Sequence, residues 1–266
     1  ESIRGRTART VAAAGGLASL SHRPASADLQ KIADRWTSIA PRYEIRIGAG
    51  DPTEQILALA EANDCDLIVI ASHGRGALGR WTFGSVADRL SRTAGVPVMI
   101  IRPKDAASEA NGIPEFNRII APTDGSKMSA EALDEAALLG KHLDRPVVLM
   151  RAIFPEAELA PTTGFEAVYA PEVYDSITQT IEDDARASLD EIAAKLKEEG
   201  VKVEIVLLHG PAAQTIEAEA KPDDLIVMAS HGRSGVKRWL IGSVAEKLVR
   251  TAPCPVVRVR APDATE

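Results

Sequence analysis

Apolar and polar residues alternate along the second half of the chain in blocks that read in turn as strands and helices. Arg118 to Pro122 is a short apolar strand, and Thr123-Asp124-Gly125-Ser126 is a turn with helix-capping residues. Ser129 to Leu143 then carries helical spacing at Leu133, Ala136, Ala137 and Leu143. Pro146 to Met150 reads as a buried strand. Phe154 to about Glu172 is a loop rich in Pro, Ala and Thr. Tyr174 to Glu199 predicts a long amphipathic helix, with Ile177, Ile181, Ala185, Leu189, Ile192, Ala193 and Leu196 on one face and a stop at Gly200. Val201–Leu208, Leu225–Met228 and Pro255–Val259 are further strands, and Ala212–Ala220 and Ser243–Thr251 are further helices. Apolar strands alternating with helices predict an α/β domain whose parallel sheet is covered on both faces.

The first half follows the same pattern only from its middle onward. Leu29–Ile39 reads as helix and Tyr43–Ile47 as strand; Asp51-Pro52-Thr53 opens a helix to about Glu61. Asp66 to Arg75 then recurs almost unchanged as Asp224 to Arg233, displaced by 158 positions (232 − 74). In each copy nine residues separate Gly74 or Gly232 from Gly84-Ser85-Val86-Ala87 or Gly242-Ser243-Val244-Ala245. A duplicated strand–loop–helix unit of fixed spacing predicts two similar domains. The shift would place a counterpart of Asp124 before the first residue (124 − 158 = −34), so the first domain is expected to lack its first two strands and the helix between them. The boundaries are 1–105 for a partial domain (1–24 unassigned), 106–116 for the linker within the polar stretch Lys104–Phe116, and 117–266 for a complete one.

Composition narrows the function. Apolar residues make up 45% and charged residues 26%, which suits soluble globular domains. A net charge of −7 argues against nucleic acid as a partner. Two cysteines, Cys65 and Cys254, have neither zinc-ligand nor disulfide-framework spacing, so a reducing, cytoplasmic setting is expected. No apolar run approaches the roughly 18 residues of a membrane span, so no membrane is expected among the partners. Arg4, Arg6 and Arg9 ahead of Val11–Leu17 loosely mimic a targeting signal. Gly15-Gly16 interrupts the apolar part and Glu1 opens the chain, so a cut or misread N-terminus is expected instead.

The candidate chemistry lies in the glycine segments. A loop that feeds a helix start aims free amides and the positive dipole end at one point, where a phosphate fits. Ser85 and Ser243 can cap these helices or donate to a phosphate oxygen. The alternative is a tight loop and a cap with no ligand. Asp124, at the carboxyl end of its strand, can accept from a ribose hydroxyl or an adenine amino group, or serve only as a helix cap. His73 and His231 can meet phosphate or tie the loop to backbone. Arg75, Arg80, Arg233, Lys237 and Arg238 read as solvated surface or phosphate contacts, and Trp81 and Trp239 as loop packing. No metal-ligand spacing, no Ser/His/Asp set and no GxxxxGK[ST] loop is present.

Pro122-Thr123-Asp124-Gly125-Ser126, together with Ala71-x2-Gly74-x9-Gly84-Ser85 and Ala229-x2-Gly232-x9-Gly242-Ser243, resembles the universal stress protein family in its tandem two-domain form. In that pattern the leading position is Gly in nucleotide-binding members and Ala in both copies here. The resemblance implies Rossmann-like, adenine nucleotide alpha hydrolase-like domains, each an open five-stranded parallel sheet ordered 3-2-1-4-5, the first incomplete. It implies ATP, with Mg, at the strand carboxyl edge. Pro122, Thr123 and Asp124 would face adenine and ribose, and the backbone at Ala152 would read adenine. Ala229, Gly232, Gly242, Ser243 and Val244 would line ribose and phosphates. Ala71, Gly74, Gly84, Ser85 and Val86 form the partial equivalent. It implies an intramolecular pseudo-dimer through the last strands, and a homodimer is conceivable. A regulatory, ATP-binding stress protein with no catalytic residues is therefore expected. The alternatives are a slow ATPase or adenylyl-handling enzyme, and a structural or chaperone-like module without nucleotide.

Overall fold

The computed structural model of the protein describes residues 27, 29–31, 33–34, 44–72, 84–102, 115–154, 171–230 and 242–260. The chain divides into two compact units, Glu1–Glu109 and Ala110–Glu266.

In the first unit the described elements are α1 (Pro52–Ala62), β1 (Ile68–Ala71), α2 (Ser85–Thr93) and β2 (Val98–Ile101). Asp51 caps α1: its Oδ1 accepts from the Glu54 amide at 3.0 Å, and Pro52, which has no N–H to lose, follows it. Arg89 of α2 donates to the other oxygen at 2.9 Å, tying the two helices together. The Glu54 amide foremost, and Arg89 after it, hold the Asp51 carboxyl below its ordinary range. β1 and β2 pair in parallel from Ile68 opposite Val98 to Ala71 opposite Ile101.

Of the strand expected over Tyr43–Ile47, residues 44–47 are described and carry no ladder. In the order 3-2-1-4-5 a third strand bonds only to the second, and among the described residues of this unit no such strand is present.

The second unit runs β3 (Arg118–Pro122), α3 (Lys127–Leu143), β4 (Val147–Ile153), α4 (Pro171–Glu198), β5 (Val203–His209), α5 (Ala212–Glu219), β6 (Asp224–Ala229), α6 (Ser243–Thr251) and β7 (Val256–Val259). All four pairings are parallel: β4 with β5, β3 with β4, β3 with β6, and β6 with β7. The strands therefore lie in the order β5-β4-β3-β6-β7, which in chain order within the unit is 3-2-1-4-5. Right-handed crossovers put α3 and α4 on one face and α5 and α6 on the other. The packing agrees: α5 lies against α6, while α3 covers β3 and β6.

The central strands β3, β4 and β6 carry apolar runs (Ile119–Ala121, Val147–Met150, Leu225–Ala229) because both faces are covered. Ile119, Ile120, Leu149, Met150, Leu225 and Ile226 are fully buried. On α4 the buried positions Ala185, Leu189, Ala193 and Leu196 fall four, four and three apart, the stripe that meets the sheet. The helix gives way at Gly200, whose φ of +85° is one that side chains rarely adopt. Gly140 serves closeness instead. A Cβ there would lie 2.8 Å from the Val147 side chain, so glycine lets α3 settle onto β4.

At the amino edge of the sheet an ion pair between half-buried Arg118 and buried Asp224 joins β3 to β6. Arg118 Nε donates to Asp224 Oδ1 at 2.9 Å and Nη2 donates to Oδ2 at 3.1 Å. The same Nη2 donates to the Glu219 carbonyl at 3.0 Å, and the Lys221 amide donates to Asp224 Oδ2 at 2.7 Å. The Asp224 hydrogen bond raises the Arg118 pKa, so this guanidinium stays charged. Burial, with Asp224 nearby, pushes the Cys254 thiol up to about 12, which makes it a core residue and not a nucleophile.

Removing one partner of a buried pair leaves the other charge uncompensated. Asp224→Ala is expected to lower the unfolding free energy of the second unit by about 3 kcal/mol in urea. A loss below about 0.5 kcal/mol, the usual range for surface substitutions, would show that the pair is solvated and structurally idle.

Candidate functional site

In an open parallel sheet, ligands bind at the carboxyl edge where the chain reverses its direction of travel across the sheet. Here the reversal falls between β3, from which the chain moves to β4, and β6, from which it moves to β7. The segments leaving these two strands carry most of the residues singled out from the sequence.

After β3 the Thr123 amide donates to the Met150 carbonyl at 2.8 Å and holds the strand end in place. Thr123 is buried, and its hydroxyl organises the turn. The Gly125 amide donates to Thr123 Oγ1 at 3.1 Å, Thr123 and Ser129 hydroxyls lie 2.9 Å apart, and Ser129 Oγ donates to the Ser126 carbonyl at 2.7 Å. One assignment satisfies every group: Thr123 donates to Ser129, which passes its own proton bond to Ser126. Asp124 Oδ1 accepts from the Ser126 amide at 2.9 Å, an Asx turn. Gly125 sits at φ +76°, a backbone state for which glycine is suited.

The cap of α3 is therefore Ser126, not Asp124, and the helix begins at Lys127 instead of Ser129. Ser126 makes no side-chain cap bond, and its buried hydroxyl has no partner. Asp124 lies before the cap, half-buried, at the carboxyl edge.

Beside this turn, β4 outruns β3. Their pairing ends at Pro122 opposite Met150, whereas β4 continues with β5 to Ile153 opposite His209. Backbone groups of successive residues in a parallel strand point to alternate sides. Met150 O faces β3, where it accepts from Thr123, and Ile153 O faces β5, where it accepts from Gly210 at 2.8 Å. The N–H and C=O of Ala152 thus point to the β3 side, beyond the end of β3.

After β6, Ser230 is buried and its amide donates to the Val259 carbonyl at 2.8 Å. Its carbonyl accepts from the Gly242 amide at 3.0 Å, so the two ends of the intervening loop are pinned together. The first unit repeats this: Ser72 bonds to Ile101 O at 2.7 Å, and Gly84 to Ser72 O at 2.8 Å. The amides of Gly84 and Gly242 are consequently occupied.

The serines are not caps either. Gly242 and Gly84 are the N-caps, with no side-chain cap bond, and Ser243 and Ser85 are the first helical residues, exposed. Glu246 N bonds back to Gly242 O at 2.9 Å, as Asp88 N does to Gly84 O. The amides of Ser243, Val244 and Ala245 fall in the turn for which a helix has no acceptors of its own. Gly242 stands at φ −59° and ψ 140°, and Gly84 at φ −66° and ψ 138°. Any residue adopts those angles, so the conformation does not require glycine. Glycine at both mouths brings no side-chain oxygen of its own to the helix start.

Ala71 and Ala229, where the motif has glycine, close their strands in ordinary backbone conformation, so the methyl carries no strain. Ala229 is buried and Ala71 is exposed. Gly74, Gly232, His73, His231, Arg75, Arg80, Arg233, Lys237, Arg238, Trp81 and Trp239 lie outside the described residues. Among the described residues no group of three acidic, histidine or cysteine side chains could hold a metal ion, and no helix is long and apolar enough to cross a membrane. Among the described residues of the first unit no element corresponds to those of Asp124 and Ala152; Ala71, Gly84, Ser85 and Val86 are the part of the arrangement described there.

A family model described as the universal stress protein family matches residues 6–102 and again 115–260. A universal stress protein of Methanocaldococcus jannaschii is 34% identical over 154 residues, covering 57% of this chain and 86% of its own length. One of Bacillus subtilis strain 168 is 34% identical over 148 residues, 54% of this chain and 99% of its own. One of Mycobacterium bovis is 30% identical over 206 residues; there the match covers 75% of this chain and 63% of the relative. A crystal structure of a functionally unknown protein from Pseudomonas aeruginosa PAO1 has a TM-score of 0.62 at 19% identity, covering 91% of this chain and 80% of its own. A universal stress protein from Archaeoglobus fulgidus has a TM-score of 0.57 at 20% identity, covering 92% and 84%. These two structures speak for the fold.

The turn after β3 can be tested alone. Thr123→Val keeps the shape but removes the hydroxyl bonded to Gly125 and Ser129, and should cost about 1–3 kcal/mol in chemical denaturation. Unchanged stability would mean the hydroxyl chain does not hold the turn.

Proposed function

The chain belongs to the universal stress protein family, and we propose that its second unit binds one adenine nucleotide, ATP, at the carboxyl edge between β3 and β6. The observation that carries this reading is the uncapped mouth of α6. Its glycine N-cap is not required by backbone angles, and its exposed serine and first-turn amides have no side-chain cap. Phosphate oxygens supply the missing acceptors, and the helix dipole favours their charge.

The remaining residues fall into a consistent arrangement around that anchor. The amides of Ser243 and Val244 and the Ser243 hydroxyl would hold phosphate, with Ala229, Gly232 and Gly242 along the phosphate and ribose wall. Asp124, with Pro122 and Thr123 behind it, would accept from ribose or adenine. The outward N–H and C=O of Ala152 match the donor–acceptor edge of adenine. Magnesium would arrive on the phosphates, as it usually does, without a dedicated protein cage. Among the described residues the first unit carries only the loop-to-helix half, so the expected stoichiometry is one nucleotide per chain. Occupancy of this site, more than turnover, would be the regulatory signal in a stress response.

Gly242→Asp separates the ligand from the fold. Aspartate is a better N-cap than glycine by a few tenths of a kcal/mol, so the unliganded protein should melt at the same temperature or higher. The new carboxylate fills the mouth and repels phosphate. Wild-type protein should bind ATP at one per chain by calorimetry, and at a hundredfold excess over Kd gain about 2.7 kcal/mol of stability. The variant should lose both effects. Undiminished binding in Gly242→Asp would overturn the reading.

A further inference from the structure

Three hydroxyls crowd the turn between β3 and α3, and two of them hold it together. Thr123 Oγ1 accepts from the Gly125 amide at 3.1 Å and lies 2.9 Å from Ser129 Oγ, which donates to the Ser126 carbonyl at 2.7 Å. The third hydroxyl is that of Ser126. Its oxygen is buried, and among the described residues it has no hydrogen-bond partner. A buried hydroxyl without a partner costs stability, so its presence needs a physical account.

A helix cap would be the ordinary account, and the geometry rules it out. Ser126 stands at the N-cap of α3 with φ −79° and ψ 156°, the extended backbone of a capping serine. The amide such a side chain takes, that of Ser129, donates instead to the Ser126 carbonyl at 3.1 Å, and no side-chain cap bond forms. The Ser126 amide is used as well, donating to Asp124 Oδ1 at 2.9 Å. The turn is thus complete without the Ser126 hydroxyl. The residue as a whole is half-buried. Serine has three staggered positions about χ1, and leaving the present one breaks no hydrogen bond. The hydroxyl can therefore turn to the open side of the residue when a partner arrives there.

We infer, on the nucleotide reading of the second unit, that this partner is the ligand. Ser126 is a further nucleotide-binding residue: its hydroxyl meets one of the two ribose hydroxyls while Asp124 meets the other. The chemistry of the pair fits a vicinal diol. An ionised aspartate only accepts, and its carboxylate has about four acceptor sites, which the bond from the Ser126 amide does not exhaust. A serine hydroxyl both donates and accepts. One ribose hydroxyl donates to the carboxylate, and its neighbour exchanges a bond with Ser126. The Asx turn joins the two residues, amide to carboxylate, so they approach the sugar as one unit.

Ser126→Ala in the full chain separates a ligand contact from a structural one. Without ligand the variant should melt at the wild-type temperature or above it, because no bond is lost and a partnerless buried hydroxyl is removed. Calorimetric titrations then compare ATP, 2′-deoxyATP and 3′-deoxyATP. Wild-type protein should bind ATP more tightly than the deoxy form lacking the hydroxyl that Ser126 meets. Ser126→Ala should weaken ATP binding about three- to tenfold, the worth of one neutral hydrogen bond, and leave the affinity for that deoxy form unchanged. A lower melting temperature would show that the hydroxyl caps α3 in solution, and overturns the proposal. So does an ATP affinity equal to wild type, or an equal loss for all three nucleotides. Wild-type protein that binds none of the three overturns the ATP reading and this contact with it. Binding that Gly242→Asp removes and Ser126→Ala leaves intact overturns the contact alone.

Discussion

The second unit depends on β3 having a hydrogen-bonded neighbour on each side. A buried parallel strand must place every backbone N–H and C=O in a ladder, since water cannot reach them. β3 does this by lying between β4 and β6, and the chain leaves it in one direction and returns to its other side. That reversal separates the ends of β3 and β6 at the carboxyl edge and leaves the backbone of Ala152 facing a place where no strand continues. At the opposite edge the Arg118–Asp224 pair holds the same two strands together. The two edges are thus specialised, one closed by an ion pair and the other left open by the topology.

Among the described residues the first unit shows no counterpart of that central strand. Closely similar residues that are all buried in β6 are in β1 buried at Ile68, half-buried at Val69 and Ile70 and exposed at Ala71, and the aspartate that is buried and paired in one unit is exposed in the other. The sequence of a strand does not determine its burial; its neighbours in the sheet do. The helix after the loop is nevertheless kept in the same form, with glycine as cap, serine as first residue, and the loop pinned by a serine carbonyl. The loop-to-helix junction is a local structure and keeps its form in both units.

Much of this was legible in the residues. Arg118–Pro122 and Ser243–Thr251 were bounded correctly because Pro and Gly punctuate them, and the duplicated spacing located both loop-to-helix junctions. The family followed from the Thr123-Asp124-Gly125-Ser126 turn combined with the two glycine segments. The features that were not legible depended on tertiary context. Tyr43–Ile47 has strand composition, but its described residues 44–47 carry no ladder. Asp124 has the composition of a cap, but Ser126 takes that position because Thr123 and Ser129 wind the turn two residues further. The Arg118–Asp224 pair spans 106 positions, and its only sequence signal was a charge at the start of each of two apolar runs.

The central claim concerns particular backbone amides, and nitrogen-resolved NMR of the labelled protein observes them individually. On addition of ATP the resonances of Ser243 and Val244 should move with saturation at one equivalent, while those of Ser85 and Val86 stay in place. Immobile Ser243 and Val244 signals, or equal movement at Ser85 and Val86, would contradict a single phosphate anchor at the start of α6.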